Sequence, residues 1–416
     1  MRKNKKILSL ILAITLILTI TACGNKELTP TINSESISTE MSLEDIIETE
    51  TKDSETTTGE LPESTVEQTT EEPEPEPKTH TVTLIAVGDN LIHSTVIKSG
   101  EQSDGTYNYD NIYSNIKNEI SYADIKIINQ ETVLVKNPED YSGYPTFGSP
   151  YAIGDATINA WFNVITHATN HSYDKGSKGV LSTVEYWKSK ENITMTGMYD
   201  SQEDYDNITI REVNGIKIAF LNYTYGLNGL TVPDDKKFYI DTLYSEDKVI
   251  EDLQKANEIA DFVIVFPHWG TEYVYEPTEY QVSWARVFVE NGADLIIGTH
   301  PHVVEPMEVL IGPNGEQVPC YFSLGNFVSC QDEIPRMLGA MAKVTIEMTD
   351  GEPAHIVSNT MEPTVTHIEA GCKSFTTYML KDYNNELAAN HWLTSKGKTI
   401  TVEKLEELYD SIINGY

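Results

Sequence analysis

Short apolar runs that stop abruptly at polar residues recur along the chain. Residues 81–87, Thr-Val-Thr-Leu-Ile-Ala-Val, stop at Gly88-Asp89-Asn90, and residues 125–128 stop at Asn129-Gln130-Glu131. Residues 164–166 give way to His167-Ala168-Thr169-Asn170-His171. Residues 262–266 are apolar throughout, as a strand buried on both faces requires, and lead to Pro267-His268-Trp269-Gly270. Residues 295–297 end in Gly298-Thr299-His300-Pro301-His302. Between these runs the apolar period lengthens to that of a helix, over 112–120, 156–162, 180–188, 245–259 and 278–291. Shorter strands are predicted at 193–195, 208–213, 216–221, 303–311, 318–322, 341–348 and 356–361, with Asn214-Gly215 as a two-residue hairpin turn. Residues 402–413 read as a C-terminal helix. Residues 136–151, rich in Pro, Gly and Tyr, read as a loop placed to cover a site. Strands alternating with helices predict an α/β domain with a largely sandwiched sheet.

In open α/β sheets, ligands bind beyond the carboxyl ends of strands. Five runs end there in Asp89, Glu131, Asn170–His171, His268 and His300–His302. The chain has ten histidines, and five of them (His167, His171, His268, His300, His302) fall just past such a run. Pro301 biases His300 away from the helical region, and side chains at i and i+2 of an extended chain leave on one face, so both imidazoles are expected to enter one cavity. Asp, Glu, Asn and His offer oxygen and nitrogen but no thiolate, a set that suits Mn, Fe or Zn, or Mg with water completing the shell. One bridging carboxylate can hold two ions about 3.5–4 Å apart and so lower the pKa of a bound water. His167 reads as a hydrogen-bonded loop residue and Trp269 as packing.

Composition sets the surroundings. Arg2, Lys3, Lys5 and Lys6 precede an apolar run over 7–20, the build of a secretory signal and short for a spanning helix. The run ends Thr21-Ala22-Cys23-Gly24, which resembles the lipobox of bacterial lipoproteins; that implies removal of residues 1–22 and diacylation of Cys23, enough for stable anchoring. Residues 24–79 carry sixteen acidic and three basic side chains and no aromatic one, so 23–79 is expected to be a disordered, lipidated acidic Thr/Glu/Pro spacer. The whole chain carries a net charge of −35, which argues against nucleic acid as a partner. Cys320, Cys330 and Cys372 give no disulfide framework, and an oxidising setting could join Cys320 to Cys330.

The motifs, in this order over residues 81–330, resemble the bacterial capsule-synthesis proteins of the poly-γ-glutamate type (the CapA/PgsA family), which are related to calcineurin-like metallophosphoesterases. The carriers are Val87-Gly88-Asp89, Asn129-Gln130-Glu131, Ala168-Thr169-Asn170-His171, His268-Trp269-Gly270, Gly298-Thr299-His300-Pro301-His302 and Ser323-Leu324-Gly325-Asn326-Phe327. The resemblance implies an α/β sandwich of mixed sheets flanked by helices over 80–370, with 371–416 as a partly helical extension. It implies that Asp89 and His302 hold a first divalent ion, that Asn170, His268 and His300 hold a second, and that Glu131 lies between them. His171 would stand beside the ions as the proton-transferring residue. Two departures matter: Asn90-Leu91 replaces the expected x-His after Asp89, and Glu131 stands where the phosphoesterases have Asp. The site is therefore expected to hold one or two ions, with His93 and Asn326 as additional candidate ligands. The function implied is a lipid-anchored protein on the extracytoplasmic face of the bacterial membrane. It would act on an anionic envelope polymer or its phosphorylated precursor through a metal-dependent, phosphoesterase-like hydrolase site, alongside membrane capsule synthase subunits. The competing readings are a non-catalytic polymer-binding accessory of such a synthase and a surface phosphodiesterase or nucleotidase unrelated to capsule.

Overall fold

The computed structural model describes residues 76–415. The expected signal over 1–22, Cys23 and nearly all of the spacer lie outside the described residues. From β1 (Thr79–Asn90) the chain passes through α1 (Ser94–Ser99), α2 (Asp110–Tyr113) and α3 (Lys117–Ile120) to β2 (Ile125–Asn129). A small ribbon of β3 (Leu134–Val135) and β4 (Ser149–Pro150) precedes α4 (Tyr151–Asn159), β5 (Val164–Thr166), α5 (Gly176–Lys188) and β6 (Thr194–Thr196). After α6 (Gln202–Asp206) come the hairpin of β7 (Thr209–Val213) and β8 (Ile216–Thr224), then α7 (Glu246–Ile259), β9 (Phe262–His268), α8 (Glu279–Glu290) and β10 (Leu295–Ile297). Strands β11 (Val304–Ile311), β12 (Gln317–Leu324), β13 (Asn326–Val328), β14 (Leu338–Thr349), β15 (His355–Ile368) and β16 (Phe375–Met379) follow. Helices α9 (Asn385–Asn390), α10 (Trp392–Ser395) and α11 (Val402–Ile413) come last. Among the described residues no helix is long and apolar enough to cross a membrane.

Two sheets pack face to face. The first has the order β16-β15-β14-β1-β2-β5-β6, with β13 also pairing β1; β1, β2, β5 and β6 run parallel. The second has the order β11-β12-β10-β9-β8-β7, and β8, β9, β10 and β12 are its parallel centre. Period-2 alternation assigns the faces. Leu84 and Ala86 of β1 and Ile125 and Ile127 of β2 meet Phe220, Phe262 and Ile264 between the sheets. Their neighbours Ile85, Val87 and Ile128 point the other way, onto Ile112, Ile153 and Ala156 of the helices. On the second sheet Val263, Val265 and Ile296 pack beneath Val249, Leu253 and Phe288 of α7 and α8. Each of the Val, Leu, Ile and Phe side chains among them, fully buried, contributes about 1.5–3 kcal/mol, and a one-residue slip would send them all to the wrong layer. The result is an α/β sandwich of mixed sheets flanked by helices. Leu405 and Ile412 of α11 join the core between the sheets.

Three local readings differ from the chain's pattern. The single helix expected over 112–120 is split into α2 and α3, because Ser114 Oγ bonds back to the Asn111 carbonyl (3.0 Å) and competes with the helical ladder. The helix expected from 156 begins at Tyr151, directly after Pro150, and ends before Trp161, whose φ is +73°. His300 is not extended: its φ is +102°, and that of His302 is +59°. The backbone around them is fixed from several sides, with Leu324 N–H donating to Gly298 O (3.1 Å), Thr299 N–H to Pro267 O (3.1 Å) and Tyr273 N–H to Pro301 O (2.8 Å). A tight, strained turn, rather than one face of an extended segment, brings the two imidazoles together, and such conformations cost about 1–3 kcal/mol each where surrounding structure enforces them.

Candidate metal centre

The carboxyl ends of β1, β2 and β5 from one sheet, and of β9 and β10 from the other, converge at one edge of the sandwich. β1 arrives there by close approach: a Cβ on Gly88 would lie 1.9 Å from Gly325 O, and Asp89 N–H donates to that same carbonyl at 2.9 Å. Asp89 is fully buried. Its Oδ1 accepts from Asn129 Nδ2 (2.8 Å), and Asn129 Oδ1 in turn accepts from Thr166 Oγ1 (2.9 Å). Its Oδ2 lies 3.1 Å from His302 Nδ1 and 3.4 Å from the His300 amide.

Glu131 occupies the centre. Its Oε1 is 3.7 Å from His302 Nε2 and 4.0 Å from both His268 Nε2 and His171 Nε2. Neither carboxylate oxygen has a hydrogen-bond partner, and Glu131 is fully buried. His268 is held by Thr299 Oγ1 at Nδ1 (2.9 Å) and faces Asn170 Oδ1 from Nε2 (2.9 Å). The His300 ring centroid lies 4.9 Å from that of His268 and 5.8 Å from that of His302, and its Nδ1 is buried without a partner. Asn326 accepts at Oδ1 from His302 Nδ1 (3.1 Å) and so braces that ring.

Charge and burial prepare these groups differently. Burial pushes the Glu131 carboxyl well above its usual range. Burial also lowers His268 and His300 well below the ordinary imidazole value, and the neighbouring histidines reinforce it, so both rings are neutral, the form that binds metal. Burial opposes a charged His302, but the carboxylates of Glu131 and Asp89 outweigh it and raise the group to about 9. Ligand atoms of Asp89, Glu131 and His302 lie within 4.8 Å of one another. Orphaned oxygens on Glu131, an orphaned nitrogen on His300 and an oxygen-nitrogen donor set are what a divalent cation would satisfy, and the residues present fit one.

His171 lies against this group with a partner of its own. Its Nδ1 is 2.7 Å from Asp174 Oδ2, which also accepts from the Phe147 amide (2.6 Å), and the Phe147 ring stands edge-on to the imidazole at 4.6 Å. The segment between β3 and β4 thus reaches the site through Phe147. His93 accepts the Cys330 N–H at Nδ1 (3.2 Å) and packs on Phe147; burial, then His302, lowers it to about 4. Its Nδ1 also lies 3.3 Å from Leu91 O, so both backbone contacts fall on that one nitrogen. Asn90, following Asp89, donates to Tyr113 and Gln130. His167 is buried apart from the cluster, accepting from Trp187 Nε1 (2.9 Å), and Trp269 donates to Phe322 O inside the outer layer. Sequence reasoning gave no role to Asn129, Asp174 or Thr299. Asn129 and Thr299 lie inside motifs that carry the family resemblance, which was a usable signal; Asp174 is a local hydrogen-bond partner with no distinguishing pattern.

Fold and donor set together define an α/β sandwich of mixed sheets whose strand ends gather a buried Asp, Glu and His cluster. Residues 83–331 match the family model for the bacterial capsule synthesis protein PGA_cap, and the chain belongs to that family. It is 32% identical over 255 residues to the PGA biosynthesis protein CapA of Bacillus subtilis (strain 168), covering 58% of this chain and 62% of that protein. It is 33% identical over 178 residues to the capsule biosynthesis protein CapA of Bacillus anthracis, covering 42% and 41%. The chain therefore spans less than two thirds of the length of either relative. Among solved structures it overlaps the NAD nucleotidase of Haemophilus influenzae (TM-score 0.45, 14% identity, 80% of this chain and 67% of that one). It also overlaps a putative 5′-nucleotidase of Staphylococcus aureus (TM-score 0.42, 15% identity, 68% and 54%). Likenesses this partial say nothing about activity.

Proposed function

We propose that the protein is a metal-dependent, phosphoesterase-like hydrolase of capsule polymer assembly, poly-γ-glutamate by kinship, held on the outer face of the membrane by lipid on Cys23. Its substrate would be the anionic polymer or a phosphorylated precursor, and membrane synthase subunits would be its partners. One observation carries the reading: the buried, unpartnered carboxylate of Glu131 surrounded by His171, His268 and His302 at 3.7–4.0 Å. Asp89, Glu131 and His302, with Asn170, His268 and His300, would hold one or two divalent ions. When bound, such ions polarise a phosphoryl oxygen and acidify a water. Asn129 and Asn326 keep Asp89 and His302 in place. Asp174 accepts the Nδ1 proton of His171 and favours the doubly protonated ring, so that an imidazolium would present its Nε2–H, on the Glu131 side, to a departing oxygen.

Wild type, Glu131→Ala and His171→Ala should be assayed on an aryl phosphodiester, an alkyl phosphodiester and poly-γ-glutamate, with metal content measured by elemental analysis. Glu131→Ala should lose metal. His171→Ala should keep metal and fold but lose about 10²–10⁴-fold in turnover, the usual range for general acid catalysis, and lose less on the aryl ester, whose leaving group needs little protonation. Metal-loaded wild type inert to all three would turn the assignment to the non-catalytic accessory role.

A further inference from the structure

Cys330 and Cys372 are 42 residues apart in sequence, yet their Sγ atoms lie 3.9 Å apart. Cys320, the partner that sequence spacing offers Cys330, is instead buried in β12 among the side chains under α7 and α8. The two facing cysteines both pack on the helix-side core of the first sheet, and both backbones are fastened by other elements. The Cys330 amide donates to His93 Nδ1 (3.2 Å), and the next residue, Gln331, donates to Tyr273 OH (3.2 Å) and accepts from Asn326 Nδ2 (2.9 Å). The Cys372 amide closes a turn on Glu369 O (2.9 Å). Two residues on, Asn111 Nδ2 donates to Ser374 Oγ (2.9 Å) and Phe375 O (3.0 Å). The proximity therefore belongs to packed structure. A disulfide sets its sulfurs about 2.05 Å apart, so each needs about 1 Å of travel, within the sweep of a χ1 rotation.

We propose that Cys330 and Cys372 form a disulfide that staples the segment after β13 to the β15–β16 turn. The oxidant is an external disulfide, protein-borne or small. Burial raises both thiols, and Cys330, the more deeply buried, is pushed up to about 12, so Cys372 attacks first. Its thiolate displaces one thiol from the oxidant and leaves a mixed disulfide. Cys330 then gives up its proton, its sulfur attacks Cys372 Sγ, and the second thiol departs. Two protein thiols are oxidised and one external disulfide is reduced to two thiols.

The purified full chain should be incubated with oxidised glutathione, quenched with iodoacetamide, and both melted and mapped by peptide mass spectrometry. A peptide linking Cys330 to Cys372, two hydrogens lighter than the reduced pair, is expected. Tm should rise by about 5 °C over the reduced chain, the scale for closing a loop of this length in a domain of this size. Cys372→Ser and Cys330→Ser should show no oxidant-dependent rise. Glutathione persisting on Cys372 without the link, or Cys330 joined to another cysteine, would overturn the pairing; a link with unchanged Tm would overturn the staple.

Discussion

A carboxyl group sealed from water needs a compensating partner or a proton, and two residues illustrate the alternatives. Glu131 is surrounded by imidazoles and oriented for a cation. Glu305, fully buried on β11, has only the side-chain amide of Gln281 at one oxygen (2.5 Å), and the other is unpartnered. Burial therefore pushes Glu305 up to about 8. Asp241 and Asp294 are each raised to about 7, again by burial. For such acids the folded state keeps a proton that the unfolded chain gives up. Their contribution to stability is complete below the ordinary carboxylate range and is lost as pH rises through 7–8, at about 1.4 kcal/mol per pH unit per retained proton. Melting of the metal-free protein should accordingly show Tm falling from pH 6 to 8.5. In Glu305→Gln, which keeps an oxygen for Gln281 and cannot ionise, the fall should be smaller by a few degrees. Parallel curves for the two proteins would mean that Glu305 does not retain its proton.

At the scale of elements, the ends of strands carry the site, and the crossing of β1 over the β12–β13 turn is its tightest point. With Gly325 O only 1.9 Å from the position of an added Cβ, Gly88→Ala must push one backbone away from another rather than shift a side chain. We expect a loss of about 3 kcal/mol or more, read as a lower Tm and soluble yield; a variant melting within a degree of wild type would show that the crossing yields freely. The strands that matter here were visible in the sequence, because buried parallel strands must be apolar throughout and must end where polar side chains begin. The helices α7 and α8 were equally visible, each opening on a Ser or Thr whose side chain caps it. β13, three residues long, exists through its pairing with β1, and β16 through its pairing with β15, so neither had a local signature. The ligand-type residues were legible as a set through their shared position after strands. The left-handed turn at His300 was not, because backbone contacts to other chain segments impose it, and the role of Asp174 depends on how His171 is turned.

Across the whole molecule, the last residues are integral to the sandwich. β16 covers the edge of β15, and Leu405 and Ile412 fill the space between the sheets. Deleting 371–416 should therefore yield aggregated protein, or a product with a broad melt and raised dye binding. A truncated chain with a cooperative melt at the wild-type temperature would refute that. The same architecture bears on how the chain reaches its native state. β1 finds β2 within a few tens of residues, but its other side waits for β14, so that Thr79 ends opposite Thr349. The whole second sheet is encoded in between. While the chain is being made, one flank of its most central strand stays an open, apolar ladder, the kind of edge that recruits other chains. Closure over such a separation is slow, since the entropy of joining distant segments is lost before their contacts form. The first sheet is thus completed only after Leu338–Thr349 has been made, and until then its open flank is best protected by a holding chaperone.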